Sequence, residues 1–171
     1  MGGLVADPDA LARLAQRFTY VVPDPLLLAV VRRYSPIVEI GAGTGYWAYL
    51  LRLAGADVVA YDQHPPGECL NRYHPDAVTW SAVLEGDAAA LAAHTDRALF
   101  ICWPPAFSSL GEVLFFYRGE VVIYVGDRGP RTAWLTGLER DYELVERHDV
   151  RAIDPEPGTR PELSVWARRV H

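Results

Sequence analysis

The stretch VEIGAGTGYWAYLL, residues 38–51, decides the fold of this chain. An apolar run ends at Ile40, three glycines follow within five residues, and the spacing of Trp47, Leu50 and Leu51 predicts an amphipathic helix. A strand that turns through glycines into a helix lets backbone amides and the helix N-terminus approach a ligand closely. The sequence therefore predicts a ligand-binding turn between a buried strand and a helix.

Short apolar runs and helical patterns alternate along the chain. Runs rich in Val, Ile and aromatic residues, typical of strands buried on both faces of a parallel sheet, occupy 37–40, 58–61, 99–103 and 120–125. Helices are predicted after the capping pairs Asp7-Pro8 and Asp24-Pro25, from Trp47 onward, and at 87–94, 106–117 and 132–140. This alternation predicts a Rossmann-like, doubly wound α/β domain with three layers.

The C-terminal part has a different pattern. The segments YELVERHDV and LSVWARRV are joined by a loop rich in proline and glycine, which is unsuited to a crossover helix. The pattern predicts a terminal antiparallel hairpin that follows a mostly parallel sheet. At 171 residues the chain is best interpreted as one domain, 1–171, with an N-terminal helical cap at 1–36 and a Rossmann-like core at 37–171.

Charge and cysteine content limit the classes of partner. The formal net charge is −6, and the sixteen basic residues, all arginine, are scattered among acidic ones, so we expect no nucleic-acid substrate. A chain without lysine cannot use Schiff-base chemistry or a P-loop lysine. Cys69 and Cys102 lack the spacing of a zinc site and indicate reduced thiols, no metal and a cytoplasmic location. Neither a signal peptide nor a membrane-spanning run is recognised, so no membrane partner is expected.

The glycine spacing separates two cofactor classes. Dinucleotide sites carry G-x-G-x-x-G, whereas this chain has G-x-G-x-G, with Tyr46 where the last dinucleotide glycine would stand. Residues 39–45, EIGAGTG, resemble motif I of class I S-adenosylmethionine-dependent methyltransferases, including the acidic Glu39 before the first glycine. The resemblance implies S-adenosyl-L-methionine as the cofactor and a seven-stranded sheet with an antiparallel C-terminal strand.

The same resemblance implies roles for individual residues. Asp62 stands where the family carries the acid that binds the ribose hydroxyls, and Asp87 in GDAAAL stands where an aspartate contacts the adenine amino group. LFICWPP, residues 99–105, corresponds to motif IV, which borders both cofactor and substrate. Tyr20, in the extended FTYVVPDP, is predicted to close the methionine end of the cofactor. The predicted cofactor-binding residues are Tyr20, Glu39, Gly41, Ala42, Gly43, Asp62, Gln63, Gly86, Asp87, Cys102 and Trp103.

Motif IV departs from the pattern of amino methyltransferases. Those enzymes often place Asn or Asp before Pro-Pro and an aromatic residue after it, whereas this chain has Trp103 before the prolines and Ala106 after them. It therefore lacks the polar group that accepts hydrogen bonds from an amine. An aromatic ring at the carboxyl end of a central strand is instead predicted to face the ligand crevice and to pack on a substrate or near the sulfonium.

The catalytic candidates lie in the loop DQHPPGECLNRYHPD, residues 62–76, which is predicted to cover the site. They are His74, Tyr73 and His64, of which we favour His74 as a general base. An imidazole titrates near neutral pH and can accept a proton from a methyl acceptor. A base is needed only for a protonated acceptor, because alignment of nucleophile, methyl group and sulfur lowers much of the barrier.

These observations predict methyl transfer to a small molecule, because little chain beyond the core is left to bind a macromolecule. An arginine, alanine, glycine and proline bias indicates a GC-rich bacterial genome and bears on the source only. The predicted acceptor is a metabolite of bacterial secondary metabolism. The alternatives are a domain or subunit that binds S-adenosylmethionine or S-adenosylhomocysteine without turnover and, less favoured, a nicotinamide-dependent reductase. The sequence leaves the acceptor atom and the oligomeric state open, a homodimer being one alternative.

Overall fold

A computed structural model describes residues 7–67, 71–75, 77–105, 110–127, 135–153 and 159–170 of the chain. The helices are α1 (Pro8–Arg17), α2 (Pro25–Arg32), α3 (Tyr46–Leu53), α4 (Leu110–Phe116) and α5 (Leu135–Asp141), with a 3₁₀ helix at Ala88–Ala93. The strands are β1 (Ile37–Ile40), β2 (Val58–Asp62), β3 (Leu84–Glu85), β4 (Ala98–Cys102), β5 (Val121–Asp127), β6 (Tyr142–Asp149) and β7 (Pro161–Arg168).

The strands form one seven-stranded sheet in the order β3-β2-β1-β4-β5-β7-β6. Strands β1 to β5 pair in parallel, whereas β7 is antiparallel to both β5 and β6. This topology confirms the predicted doubly wound sheet with its reversed C-terminal strand. The strand order changes direction between β1 and β4, and ligands of such sheets bind outside the carboxyl ends of the strands at that point.

Two apolar clusters flank the sheet and produce the three layers. On one face, α2 and α3 pack on strand residues that include Ile37, Ala60 and Phe100. On the other face, the 3₁₀ helix, α4 and α5 pack on the alternate residues, such as Val38 and Leu99. Successive side chains of a strand point to opposite faces, so a continuous apolar run is what a doubly covered sheet requires.

Helix starts follow the predicted capping pairs. The Asp7 carboxylate accepts a hydrogen bond from the Asp9 amide at 3.1 Å, and the Asp24 carboxylate accepts one from the Leu27 amide at 2.9 Å. Each cap precedes a proline at the first helical position. Proline has no amide proton, but at this position an amide would form no hydrogen bond within the helix. Within the ranges given above, every helix is too short or too polar to cross a bilayer.

The structure differs from the sequence-based expectation at two elements. The predicted helix at 87–94 is a single 3₁₀ helix, and its Asp87 N-cap accepts a hydrogen bond from the Ala89 amide at 2.9 Å. Strand β3 has only two residues, both exposed, so its sequence contains no apolar run that would predict a strand. Its pairing with the last two residues of β2 extends the sheet beside Asp62.

Candidate functional site

The glycine turn after β1 has the unusual backbone that its sequence predicts. Gly41, Gly43 and Gly45 all have positive φ angles, of 70°, 52° and 69°. Ala42 lies between them and donates its amide to the Tyr61 carbonyl of β2 at 2.9 Å. A left-handed conformation is costly for residues with a Cβ atom, so three such residues in a row of five require glycine. The turn thereby presents backbone at the carboxyl end of β1.

The three glycines meet different surroundings. A Cβ atom on Gly43 would stand 2.6 Å from His74 Nε2, and one on Gly45 would stand 2.6 Å from a methyl carbon of Val83. A Cβ atom on Gly41 would meet nothing within 4 Å. Gly43 and Gly45 are therefore packed under neighbouring segments, whereas Gly41 borders open space.

Asp62 joins the end of β2 to the glycine turn. Its Oδ2 accepts a hydrogen bond from the Gly43 amide at 2.8 Å, and its Oδ1 accepts one from the His64 amide at 2.9 Å. Two amides thus fix the carboxylate beside the turn, at the strand end where the sequence predicts a cofactor-binding acid. Each carboxylate oxygen retains acceptor capacity for a further donor.

Glu39 is a carboxyl group in a core position. It lies two residues after Ile37 on β1, so its side chain points to the face covered by α3, and the residue is only 2% exposed. Among the described residues Glu39 Oε2 has no hydrogen-bond partner. The pKa of Glu39 is raised to about 8, chiefly by burial; the Arg52 guanidinium opposes the shift and nearby Asp62 adds to it. At neutral pH the folded protein therefore holds this carboxyl largely protonated.

Cys102 is the last residue of β4, and Trp103 follows it directly. Burial raises the pKa of the Cys102 thiol, and the Glu39 carboxylate adds to the shift, so this sulfur is a neutral thiol and not a nucleophilic thiolate. Trp103 has a φ of 51°, the one positive value outside glycine in the described chain, and its amide donates to the Val125 carbonyl at 2.6 Å. Strained backbone of this kind clusters at functional sites.

A segment of the N-terminal region, residues 16–22, crosses the carboxyl ends of the strands; we call it the strap. Its backbone carbonyl groups accept hydrogen bonds from side chains of the glycine turn and of the segment before β3. Thr44 Oγ1 of the glycine turn donates to the Phe18 carbonyl, and Trp80 Nε1 donates to the Arg17 carbonyl at 2.9 Å. The Phe18 ring stacks on Trp80 with a centroid separation of 5.0 Å. The strap is therefore anchored on the turn and on the chain that leads to β3.

The other end of the strap is attached to the β6–β7 hairpin. Val21 pairs with Ala152 in an antiparallel bridge, and the Ile153 amide donates to the Tyr20 carbonyl at 2.7 Å. The Tyr20 hydroxyl also donates to the Tyr73 carbonyl at 3.2 Å. Tyr20 thus lies beside the loop that follows β2, and the strap spans the crevice from α3 to the last strands of the sheet.

His74 is the catalytic candidate that the structure brings to the glycine turn. It is 7% exposed, and its Nδ1 lies 2.6 Å from the Gln16 carbonyl of the strap. A carbonyl oxygen can only accept, so Nδ1 carries the proton and Nε2, which lies over Gly43, is the basic nitrogen. Burial lowers the pKa of His74, although the Gln16 hydrogen bond and Asp62 oppose the shift. The imidazole is consequently neutral at pH 7 and able to accept a proton.

The remaining predicted residues lie around this centre or outside it. Tyr73 and His64 are exposed side chains, and His64 contributes only its backbone amide to Asp62. Gln63 and Asp87 are also exposed, and a Cβ atom on Gly86 would stand 2.7 Å from the Tyr61 ring. Cys69 and Ala106 lie outside the described residues. No group of three or more potential metal ligands occurs in the part of the chain that the structure describes.

Sequence reasoning missed the residues that hold the strap, namely Phe18, Thr44, Tyr46 and Trp80. Phe18, Tyr46 and Trp80 form one aromatic cluster with centroid separations of 5.0 to 5.2 Å. The available signal was three large aromatic side chains, of which Phe18 and Tyr46 lie at helix ends and Trp80 lies in a segment without regular structure. That signal does not reveal which distant segments meet, because the contacts span 26 to 63 positions of the chain.

The strand order, the reversed β7 and the glycine turn define a class of fold, that of class I S-adenosylmethionine-dependent methyltransferases. No protein-family model matches the chain, and no curated protein matches its sequence significantly. Solved structures do match. A TehB-like S-adenosylmethionine-dependent methyltransferase from Corynebacterium glutamicum is 18% identical, with a TM-score of 0.53 over 83% of this chain and 86% of that one.

Two further similar structures contain S-adenosylhomocysteine, the product of the cofactor. The tRNA (uracil-54, C5)-methyltransferase of Pyrococcus abyssi, in complex with S-adenosyl-L-homocysteine, is 14% identical, with a TM-score of 0.58 over 83% of this chain and 37% of that one. TrmK of M. capricolum, in complex with S-adenosylhomocysteine, is 12% identical, with a TM-score of 0.52 over 84% of this chain and 68% of that one. At these identities the likeness establishes the fold.

Proposed function

We propose that this protein transfers a methyl group from S-adenosyl-L-methionine to a small-molecule acceptor. The observation that carries the proposal is the glycine turn fixed on Asp62, preceded by Glu39 with its buried, unpartnered carboxyl oxygen. Both lie at the carboxyl edge of a sheet with the class I strand order. Solved proteins of this fold are named as methyltransferases and are seen with the demethylated cofactor.

The residues of the turn suit this cofactor. Gly41 borders open space, so backbone is accessible there, and Asp62 retains acceptor capacity for ribose hydroxyls. When bound, the cofactor supplies an electrophilic methyl group on a sulfonium. Tyr20, Gln63, Gly86, Asp87, Cys102 and Trp103 complete the proposed binding set. A ligand that lies across Gly43 contacts the His74 ring or displaces it, because the ring stands over that glycine.

The proposed task of His74 is to take a proton from the acceptor at Nε2. The strap carbonyl of Gln16 fixes the tautomer that makes this nitrogen basic, and burial keeps the ring neutral at pH 7. His64 and Tyr73 remain secondary proposals, since both side chains are exposed. An acceptor without a proton to lose needs no base, and alignment of its nucleophilic atom with the methyl group and the sulfur is then sufficient. In that case the role of His74 is to shape the crevice.

The strap supports a small acceptor. It is attached at both ends near the carboxyl ends of the strands, which restricts the access of a large acceptor to the glycine turn. The net charge of −6 is unfavourable for attraction to a phosphate backbone. Two solved proteins of this fold are named as tRNA methyltransferases, and tRNA is therefore the competing acceptor to test. A cytoplasmic location, a role in bacterial secondary metabolism and a homodimer remain parts of the proposal.

The first experiment is calorimetry of the intact protein with S-adenosylhomocysteine and, separately, with NAD. Binding of the former alone is expected, because the turn has G-x-G-x-G spacing. Heat with NAD alone would overturn the proposal in favour of a nicotinamide enzyme. A thermal shift gives a second readout, since ligand at about 100 times its Kd adds roughly 2.7 kcal/mol to the unfolding free energy.

The second experiment measures turnover with S-adenosylmethionine labelled in its methyl group. The acceptors are an extract of small metabolites and, in parallel, unmodified tRNA. We expect label in the small-molecule fraction and none in tRNA. Label in tRNA alone would contradict the acceptor class but not methyl transfer. Cofactor binding with no label in either fraction would support the alternative of a domain that binds the cofactor without turnover.

A further inference from the structure

We propose that Thr44 is a positioning residue: its hydroxyl holds the strap on the glycine turn, and the strap carbonyl of Gln16 then keeps the His74 proton on Nδ1. This role rests on the proposed function, because it leaves Nε2 of His74 free to accept a proton from the acceptor. Thr44 acts through the strap, and no contact with the cofactor or the acceptor is assigned to it.

Three consecutive backbone carbonyls, those of Gln16, Arg17 and Phe18, each accept a hydrogen bond from a side chain of another segment. The last carbonyls of a helix have no partner within the helix, and α1 ends at Arg17. The donors to these carbonyls are, in the same order, His74 Nδ1, Trp80 Nε1 and Thr44 Oγ1. One helix end therefore connects the candidate base, the segment before β3 and the glycine turn.

Thr44 is the central connection of this network. It lies between Gly43 and Gly45 of the turn and is 1% exposed. Its hydroxyl donates to the Phe18 carbonyl, and its own carbonyl accepts a hydrogen bond from the Trp80 amide at 2.8 Å. Trp80 returns to the strap through its indole nitrogen, so the turn, the segment before β3 and the strap form a closed ring of hydrogen bonds. Lifting the strap from the turn requires that the Thr44 bond breaks.

His74 is also held by contacts that do not involve the strap. Its amide donates to Asn71 Oδ1 at 2.9 Å, and Asn71 Nδ2 donates to the His64 carbonyl at 2.6 Å. Loss of the Gln16 carbonyl should therefore change the hydrogen bond of the imidazole more than its position. Without that acceptor the two neutral tautomers interconvert, and only the tautomer with a bare Nε2 can accept a proton over Gly43. The basic tautomer is thus tied to an attached strap.

Nuclear magnetic resonance of protein with isotope-labelled histidine identifies the tautomer without cofactor or acceptor. At about pH 8 a free imidazole is neutral, and long-range proton–nitrogen couplings show which ring nitrogen carries the hydrogen. His74→Gln assigns the signals of His74 among the five histidines. We expect the wild type and Thr44→Ser to hold the proton on Nδ1, whereas Thr44→Val should show both tautomers. An undiminished Nδ1 tautomer in folded Thr44→Val would overturn the proposal.

Trypsin measures the opening of the strap, because the bond between Arg17 and Phe18 lies within it and the Arg17 carbonyl is bonded to Trp80. A protease cleaves the transiently opened form. Loss of one hydrogen bond should raise cleavage after Arg17 about two- to tenfold in Thr44→Val, whereas Thr44→Ser should stay near the wild type. Cleavage after Arg97, directly before the central strand β4, requires the sheet to unfold. An equal rise at both sites would mean that Thr44 only stabilises the fold, against the proposal.

Ser81→Ala is the matched control on the same turn. Ser81 Oγ donates to the Gly45 carbonyl at 3.1 Å, so this variant removes a hydrogen bond from the turn without removing one from the strap. It should leave both the cleavage after Arg17 and the tautomer of His74 unchanged. Changes as large as those of Thr44→Val would contradict a path through the strap.

Trp80→Phe tests the same strap if Thr44→Val does not fold. It keeps an aromatic ring to stack on Phe18 but removes the donor to the Arg17 carbonyl. We expect faster cleavage after Arg17 together with a mixture of His74 tautomers. Faster cleavage with the proton still fixed on Nδ1 would contradict the proposal, because the tautomer would then be independent of the strap.

Calorimetry with S-adenosylhomocysteine on the same proteins separates this inference from the proposed function. Binding by the wild type, together with an unchanged tautomer in Thr44→Val, would remove the role of Thr44 and leave the proposed function intact. A changed tautomer in Thr44→Val, in a protein that binds no S-adenosylhomocysteine, would refute the proposed function and confirm the link from Thr44 to His74.

Discussion

His74 Nε2 lies over Gly43 at the place where a side chain would begin, 2.6 Å from an ideal Cβ atom. Gly43→Ala should therefore combine the cost of a positive φ, roughly 1–2 kcal/mol, with displacement of the imidazole, roughly 1–3 kcal/mol more. Gly41→Ala is the control, because its φ is also positive but its surroundings are open. Urea unfolding of both variants measures the difference. Equal losses would show that the His74 contact contributes nothing to stability.

Asp62→Ala should weaken S-adenosylhomocysteine binding by one to two decades. The carboxylate is fixed beside the turn by two amides, and loss of a hydrogen bond to a charged acceptor costs about 1.5–3 kcal/mol. Glu85 of β3 pairs with Asp62 in the sheet, and its carboxylate is exposed. Glu85→Ala should therefore leave the affinity for S-adenosylhomocysteine unchanged. Calorimetry of the two variants provides the comparison. Equal affinities would restrict Asp62 to a structural role at the turn.

His74→Ala should lower turnover by roughly 10² to 10⁴ if His74 takes the acceptor proton, while His64→Ala stays active. The reason is geometric, since His74 is buried at the turn and the His64 side chain is exposed. Methyl-transfer rates with a confirmed acceptor test this, and S-adenosylhomocysteine affinity is measured beside them. We expect that affinity to change little in His74→Ala. Tighter binding would show that the imidazole obstructs the cofactor, and full activity would leave catalysis to alignment alone.

Glu39 predicts a pH dependence of stability with a defined sign. Between its ordinary value of 4.5 and its folded pKa of about 8, the folded state keeps a proton that the unfolded chain has lost, so rising pH destabilises the folded state. The unfolding free energy of the wild type minus that of Glu39→Gln should fall by up to about 1.4 kcal/mol per unit from pH 5 to pH 8. Above pH 8 it should level off.

The control for that series is Glu85→Gln, whose carboxyl group is exposed on β3. This variant measures the effect of removing one carboxyl group from the surface. Urea unfolding at each pH supplies the free energies for all three proteins. A flat curve for Glu39→Gln would mean that this carboxyl ionises as it does in water, despite its burial.

The sheet and the turn could be predicted because local patterns decide them. The glycines of residues 41–45 follow an apolar run and precede a helical period, so strand, turn and helix are each visible in the sequence. The reversed β7 followed from a proline-rich connection. By contrast, β3 is set by pairing with β2 and not by its own two exposed residues.

The contacts of the site could be predicted only in part. His74 was favoured over His64 by sequence, but its burial and its bond to the Gln16 carbonyl depend on a segment 58 positions away. The unpartnered oxygen of Glu39 depends on what three other elements bring around it. Residue type indicates the chemistry available at a position, whereas tertiary packing decides the partners and the protonation state.

The strap has a consequence for the order in which the protein is made. It belongs to the first 22 residues, yet it pairs with Ala152 and Ile153 of the β6–β7 connection. β5 likewise needs β7 as its antiparallel neighbour. A chain emerging from the ribosome therefore cannot close its crevice until residues beyond 153 are free to fold. In a series of ribosome-bound chains of increasing length, ligand binding should appear in one step, once residues beyond 153 have left the ribosome. Binding of the ligand would then show that the whole sheet has formed.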